Sequence, residues 1–291
     1  MNIEFRSLSA TSMEKIIEAF QKAFGDYAVK FESSEIQSML RRRGFRKDIS
    51  FAAFDGGEIC SFLLNGYGVY AGKPCCYDCG TGTLPAYRGM GFAGKLFQEA
   101  LPELRNVGIK EYILESLTSN AQAIGIYEKS GFEIVATYDC YNQSIDNLKL
   151  SSKRLIDVSI VDIDASALRS MVSFCDFMPS WQNSIESIER GADELTMRAA
   201  ILEGRRVGYC VYDSHSGDIA QIAVDRDFRR MGIGTLLLSS VIKESKSKKI
   251  KVLNIDTGCS SLLSSLKAWG FSKGLSQYGM RKRLITENDD E

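Results

Sequence analysis

The sequence predicts a mixed α/β chain made of two tandem copies of one α+β domain. Three observations carry this. Tyr87-Arg-Gly-Met-Gly-Phe-Ala93 and Phe228-Arg-Arg-Met-Gly-Ile-Gly234 are near-repeats of one glycine-rich loop. Aligning Arg88 with Arg229 brings Gly131-Phe132 to within two residues of Gly270-Phe271, so the correspondence extends well beyond the loop. The order of apolar patterns around the two loops is also the same. A length of 291 residues suits two domains better than one, and 44% apolar residues supply material for two cores.

In the first half, Asn2–Leu8 reads as a strand. Thr11–Phe24 reads as a helix with Ile16, Ile17, Phe20 and Phe24 on one face, and Ser34–Arg43 as a second helix. Ile49–Phe54 and Ile59–Tyr70 are strands joined by the hairpin signal Asp55-Gly-Gly-Glu58. Strand Cys75–Leu84, helix Met90–Asn106, strand Glu111–Ser116, helix Asn120–Lys129 and strand Phe132–Cys140 complete the copy. The second half reads the same way. Its strands are Ile156–Ile163, Thr196–Leu202, Val207–Asp213, Ile219–Val224, Lys251–Ile255 and Gly279–Leu284. Its helices are Ser166–Phe174, Trp181–Arg190, Met231–Lys246 and Ser260–Trp269. Ser144–Lys153 is polar and reads as the linker, which divides the chain into residues 1–147 and 148–291. Thr286–Glu291 reads as a mobile acidic tail.

Composition excludes several function classes. Lys+Arg number 36 against 37 Asp+Glu, so there is no basic excess for nucleic acid. No apolar run reaches the roughly 18 residues that span a bilayer. The N-terminus lacks the basic start and apolar stretch of a signal peptide. A soluble, cytoplasmic protein with no membrane partner is expected. The single histidine, His215, sits in the turn-like run Asp213-Ser-His-Ser-Gly-Asp218. A two-histidine zinc site is therefore impossible within one chain, and a Ser-His-Asp triad would depend on a loop residue. Without a secretion signal the eight cysteines read as reduced thiols. Cys76-Tyr-Asp-Cys79 matches C-x-x-C, but no second pair stands at zinc-ribbon spacing and the segment reads as a strand. No metal is expected.

Gly89-Met-Gly91-Phe-Ala-Gly94 matches G-x-G-x-x-G, and Gly89 to Lys95 matches most of a P-loop. A P-loop needs Ser or Thr after the lysine, and Leu96 stands there. The dinucleotide reading has Glu115 at about the spacing of a ribose-binding acid. Against it, Pro85-Ala-Tyr-Arg88 separates strand from glycines, and the second copy, Gly232-Ile-Gly234-Thr-Leu-Leu237, lacks the third glycine. Both copies keep Arg-x-Met-Gly-x-(Ala/Gly) between a strand and a helix. Small residues there expose backbone N–H groups at the helix N-terminus, where the dipole favours a pyrophosphate. The arginine either adds charge to the phosphates or orders the loop.

Each half resembles a domain of the GNAT N-acetyltransferase superfamily. The signature (Gln/Arg)-x-x-Gly-x-(Gly/Ala) is met by Arg88-Gly89-Met90-Gly91-Phe92-Ala93 and by Arg229-Arg230-Met231-Gly232-Ile233-Gly234. The resemblance implies that these residues, with Gly94, hold the pyrophosphate of acetyl-CoA. It places backbone donors for the acyl oxygen at Thr83-Leu84 and, in the second half, at Ala223-Val224. The run Leu114-Glu-Ser-Leu-Thr-Ser-Asn-Ala-Gln-Ala-Ile-Gly-Ile-Tyr-Glu-Lys-Ser-Gly-Phe132 is similar to that of ribosomal-protein N-terminal acetyltransferases. Carried over position by position, Glu115 is the general base, Asn120 contacts the pantetheine arm, and Tyr127 is the acid that protonates the CoA thiolate. Each also has a plainer reading. Asn120 suits a helix N-cap, Tyr127 a core aromatic, and Glu115 a structural or water-mediated role. Asp78 and the carboxylates of the first helices are rival bases.

Counting back from Gly270 places Asn254, Cys259 and Leu266 at the positions of Glu115, Asn120 and Tyr127. Leucine donates no proton, so catalysis is expected in the first half. The second half then binds CoA idly, shapes the acceptor pocket or docks the first, unless Tyr278 or Asp256 substitutes. Asp26, Tyr27 and Glu32 are placed to meet the acceptor. Phe177-Met-Pro-Ser-Trp-Gln-Asn183 is either a substrate-facing loop or a packing anchor built on Trp181. The implied function is direct acetyl transfer to a primary amine of a small molecule or peptide, by a monomer or homodimer. The alternatives are a non-catalytic acyl-CoA sensor, catalysis by the C-terminal half, and aminoacyl transfer from aminoacyl-tRNA. The neutral charge and the pyrophosphate loops oppose the last.

Overall fold

A computed structural model of the chain describes residues 1–25, 32–150 and 157–284. The chain packs as two units. The first comprises Met1–Ser116, Asn120–Val135 and the residues from Gly279 onward; the second comprises Leu117–Ser119 and Ala136–Tyr278.

The first unit opens with β1 (Ile3–Ser7), α1 (Met13–Ala23) and α2 (Ser33–Arg42). Ser12 starts α1 by accepting the Lys15 N–H on its hydroxyl, and the helix buries Ile16, Ile17 and Phe20. Strands β2 (Phe51–Asp55), β3 (Glu58–Tyr70) and β4 (Lys73–Thr83) follow, then α3 (Phe92–Asn106), β5 (Glu111–Leu117) and α4 (Ala121–Lys129). β1 to β4 form an antiparallel meander. β4 pairs in parallel with β5 only from Cys75 to Tyr77. The register slips at Cys79, where Leu64 faces Gly80 but Asn65 faces Asp78. Such a bulge strengthens local twist and turns a strand away from its neighbour. β4 and β5 therefore part, and a cleft opens beyond the pairing.

The second unit repeats this plan with β7 (Val158–Asp162), α5 (Ala165–Arg169), α6 (Ile185–Arg190) and β8 (Thr196–Leu202). It continues with β9 (Arg205–Asp213), β10 (Asp218–Val224), α7 (Ile233–Glu244), β11 (Lys249–Asp256) and α8 (Ser260–Ala268). β10 and β11 pair only at Asp218 and Ile219, and the register of β10 against β9 slips between Ile219 and Gln221. The same bulge thus precedes the same cleft. Val207, Leu237, Leu238, Val241, Ile250 and Leu266 are fully buried in its core.

The last strands are β6 (Glu133–Ser144) and β12 (Ser272–Arg283). The sequence places the division between residues 147 and 148; the packing places it inside β6 and again inside β12. In the second unit, β6 pairs antiparallel with β11, from Lys249↔Ser144 to Asp256↔Tyr138. In the first unit, the end of β12 lies beside β5, and the Leu284 N–H donates to the Lys110 carbonyl at 2.8 Å. Each half of the chain supplies a strand segment to the unit that the other half builds.

Some elements differ from their sequence-based expectation. The helix expected at Ser166–Phe174 is α5 followed by a 3-10 turn at Val172–Phe174. The one expected at Trp181–Arg190 is a 3-10 turn at Trp181–Asn183 followed by α6, which Ser184 restarts by capping the Ser187 N–H. Trp181 is 2% exposed and lies under the Arg190 guanidinium, so it is the packing anchor. Glu32 caps α2 in a reciprocal pair with Glu35, which gives it a structural role. Asp26, Tyr27, the start of the strand at Ile156, the linker end and the acidic tail lie outside the described residues. Cys76 and Cys79 are buried thiols on β4, and His215 is exposed beside Lys246. Among the described residues no group of acidic, histidine or cysteine side chains is placed to hold a metal, and no helix is long and apolar enough to cross a membrane.

Candidate active site

The first unit's cleft starts at the glycine loop. Gly89 and Gly91 have φ of +80° and +76°, which favours glycine, and Gly91 is the N-cap of α3. A Cβ built at Gly89, Gly91 or Gly94 would meet no atom within 4 Å. The backbone therefore faces open space at a helix N-terminus, as an anion site requires. Arg88 donates from Nε to the Thr83 carbonyl at 3.3 Å and from a terminal nitrogen to the Ala23 carbonyl at 3.0 Å. It orders the loop, the second of the two roles its position suggested. Met90 is exposed, and Phe92 packs edge-on against Phe5.

A cleft of ≈ 340 Å³ runs on from the loop, lined by Thr83, Arg88, Gly94, Asn120, Tyr127 and Asp78, among others. Asn120 caps α4, its side-chain oxygen accepting the Ala123 N–H at 3.1 Å. Capping uses the oxygen and leaves the amide nitrogen for the cleft. Tyr127 lies two turns along α4. Its ring packs against Phe132, and its hydroxyl lies 3.4 Å from Asp78 Oδ2. It is a packed aromatic and a cleft-lining phenol at once. The Leu84 N–H is used by the Cys60 carbonyl at 2.9 Å. By strand alternation the Thr83 N–H points to the opposite edge, where β4 has left β5.

Two carboxylates serve this wall, Asp78 on the cleft and Glu115 behind it. Asp78, at the bulge, accepts the Gly80 N–H at 2.9 Å and the Thr81 hydroxyl at 2.7 Å. Glu115, on β5, accepts the hydroxyl of buried Tyr77. Arg43, the C-cap of α2, donates to the Cys79 carbonyl at 2.8 Å and lies over the Tyr77 ring. Burial pushes both carboxyls above the ordinary carboxylate range; the hydrogen bonds from Thr81 and Gly80 to Asp78 and from Tyr77 to Glu115, and then the Arg43 charge, only partly draw them back. The Asp78 charge further raises Glu115. Among the described residues, Arg43 is the cation that acts on both acids. Arg43 and Tyr77 escaped the sequence reading, because nothing in either's local pattern points to Glu115.

In the second unit, Arg229 donates to the Val224 carbonyl at 2.9 Å and the Phe174 carbonyl at 3.0 Å, repeating the Arg88 pattern. That pairs Val224 with Thr83 and Ala223 with Gly82. Ile219 stands where Asp78 stands. Asn254, in the place of Glu115, is buried and donates to the Ser180 hydroxyl at 3.1 Å. Leu266 is buried, and Cys259 starts α8 with no side-chain cap bond. Asp256 accepts the Gly258 N–H at 2.7 Å. Loop and bulge persist; Ile219, Asn254 and Leu266 stand in place of Asp78, Glu115 and Tyr127.

A family profile described as Acetyltransferase (GNAT) family matches residues 13–132 and 165–271. The chain belongs to the GNAT family. Two matched regions in one chain make it a tandem GNAT protein. It is similar to N-alpha-acetyltransferase 30 of Schizosaccharomyces pombe, with 31% identity over 86 residues. That match covers 29% of this chain and 57% of the relative, so the chain spans less than two thirds of that protein. Solved structures share the fold over nearly its whole length. A tandem GNAT protein from the clavulanic acid biosynthesis pathway matches with a TM-score of 0.73 at 15% identity, covering 99% of this chain and 100% of that one. A putative acetyltransferase from Pyrococcus horikoshii matches with a TM-score of 0.68 at 15% identity, covering 97% and 89%. GNAT proteins use acetyl-CoA as co-substrate. The first unit's open glycine loop and parted strands fit it.

Proposed function

We propose that this GNAT protein is an acetyl-CoA-dependent N-acetyltransferase whose first unit does the chemistry on a primary amine. The observation that carries this is the Tyr127 hydroxyl 3.4 Å from the Asp78 carboxylate, on the wall of a cleft that begins at the glycine loop. The resemblance gives the base to Glu115, and the geometry supports a base shared between Glu115 and cleft-lining Asp78. Carboxyls raised by burial sit closer to a working pH, where a base is most effective.

In this reading the ammonium loses its first proton through the carboxylate pair to solvent. The free amine attacks the thioester carbon, and the Thr83 N–H holds the acyl oxygen as it gains charge. Collapse breaks the carbon–sulfur bond. Tyr127 gives its proton to the departing sulfur, and the nitrogen gives up a second proton to Asp78. That proton passes to the Tyr127 phenolate across their contact, so the site returns to its starting state. The eight cysteines fit a reducing compartment, and we place the protein in the cytoplasm.

The test is free-thiol release from acetyl-CoA with a panel of primary amines. Peptide α-amines come first because of the likeness to an N-alpha-acetyltransferase, followed by lysine peptides and small polyamines. Turnover with at least one class is expected. Binding of acetyl-CoA without turnover across the panel would replace this reading with a non-catalytic acyl-CoA sensor.

A further inference from the structure

Arg41-Arg42-Arg43 runs through the last turn and C-cap of α2, where cations suit the end of a helix. Arg43 does more than that. The chain after it is stitched to β3, with the Arg46 N–H donating to the Asn65 carbonyl and the Tyr67 N–H to the Gly44 carbonyl, both at 2.9 Å. This roots Arg43 beside the register slip of β3 and β4. Cys79 is the extra residue of that slip, between the pairs Leu64↔Gly80 and Asn65↔Asp78. Its carbonyl accepts from the Arg43 guanidinium at 2.8 Å, and its thiol donates to the Arg43 carbonyl at 3.8 Å. Gly66 makes room for this. A Cβ there would lie 2.2 Å from the Arg43 carbonyl oxygen and 2.9 Å from the Cys79 sulfur. The end of α2 and the bulge that carries Asp78 are thus packed as one piece.

The same side chain is also an electrostatic partner of the carboxylate pair. Around its guanidinium stand Tyr77, Asp78 and Cys79 of β4 and Glu115 of β5. Tyr127 of α4 meets the pair through Asp78, while Arg281 of β12 turns to Glu111 at 3.9 Å. Burial lowers the pKa of Arg43, but the acidic groups around it outweigh burial and keep the guanidinium charged. Burial raises both carboxyls. After the hydrogen bonds from Thr81 and Gly80 to Asp78 and from Tyr77 to Glu115, Arg43 is the next group to lower each of them. A carboxyl that is already protonated takes no proton from an ammonium. A fixed cation beside two buried carboxyls favours the state in which one of them is ionised.

We infer that Arg43 is the positioning residue of the pair: it pins the bulge that carries Asp78 and keeps one of the two carboxyls ionised, ready to take the proton of the ammonium. This deepens the reading of the first cleft as the acetyl-transfer site and rests on it. Arg43 touches neither substrate; it acts through Asp78 and Glu115.

The test is the pH dependence of kcat/KM for acetyl transfer by the full chain to an amine that wild type accepts, with Tm recorded for each variant. Arg43→Gln removes the charge and keeps an amide donor. Without the cation the pair holds its proton to higher pH, so the acid limb is expected to move up by about one pH unit. The rate then falls about tenfold below the midpoint, and the loss shrinks to about threefold near pH 9. Arg43→Met, which keeps the length of the stem, gives the same answer if the glutamine variant fails to fold. Arg43→Lys restores a charge without the planar fork and is expected to return the limb to within about 0.3 of a unit of wild type. An unmoved limb in the neutral variants would overturn the inference. So would a loss of equal size at every pH, which marks a purely structural clamp, or a limb still shifted in Arg43→Lys. No turnover by wild type would overturn the reading of the first cleft itself.

Discussion

Asp78 and Glu115 are both buried beside the Arg43 charge, and their burial has a measurable consequence. Both folded-state pKa values are raised, so the folded protein resists their ionisation. A raised carboxyl adds stability below the ordinary carboxylate range and loses it as pH rises through the folded value. Asp78→Asn or Glu115→Gln alone is therefore expected to hold or raise Tm at pH 8. The double substitution takes both carboxylates away from the buried Arg43 charge and is expected to cost about 3 kcal/mol. Additive effects in thermal melts would contradict this. Asp176 has the opposite sign. Its arginine contacts, with Arg229 the largest, lower its pKa from 3.8 to about 2. Its contribution is present above 3.8 and fades as pH falls through about 2. Asp176→Asn should cost about 1 kcal/mol at pH 7 after solvent screening, and less below about pH 4. A cost that does not change with pH would remove the charge argument. At this scale the legible residues were those in one run. Glu115, Asn120 and Tyr127 lie within thirteen consecutive residues. Asp78 was visible only as a rival, because the bulge that turns it to the cleft leaves no mark on the alternation of β4.

At the scale of elements, the start of α4 joins an observed cap to a proposed ligand contact. Both belong to Asn120, and a suitable substitution separates them. Aspartate caps as well as asparagine but has no amide donor. Asn120→Asp is expected to keep Tm within a degree or two and weaken acetyl-CoA binding about tenfold, as read by calorimetry. Unchanged affinity would make Asn120 a cap alone. Most elements were legible because apolar spacing and turn signals agree. The exceptions have physical causes. Ser184 restarts a helix that apolar spacing runs together, and its Ser-x-x-Ser cap was a readable signal. β12 begins at Ser272, seven residues before the expected Gly279, because Ser272-Lys273-Gly274-Leu275 is exposed and shows no apolar alternation.

At the scale of the whole molecule, duplication was legible and the division of strands was not. Apolar alternation reports which face of a strand is buried, not which strand lies beside it. β6 and β12 therefore read as the closing strands of their own halves, yet each serves the other unit. Separate chains of residues 1–147 and 148–291 would each lack a segment of their sheet and expose an unpaired edge. Each is expected to aggregate alone and to gain solubility on co-expression. Soluble, cooperatively melting single halves would contradict the exchange.

We place the chemistry in the first unit, and two phenols put that assignment to the test. Acetyl transfer to an accepted amine should be measured side by side for Tyr127→Phe and Tyr278→Phe, the rival phenol encoded by the second half. Tyr127→Phe is expected to lower kcat by about 10²-fold with acetyl-CoA still bound, and Tyr278→Phe to stay within about twofold of wild type. A full rate in Tyr127→Phe, with loss in Tyr278→Phe, would contradict it.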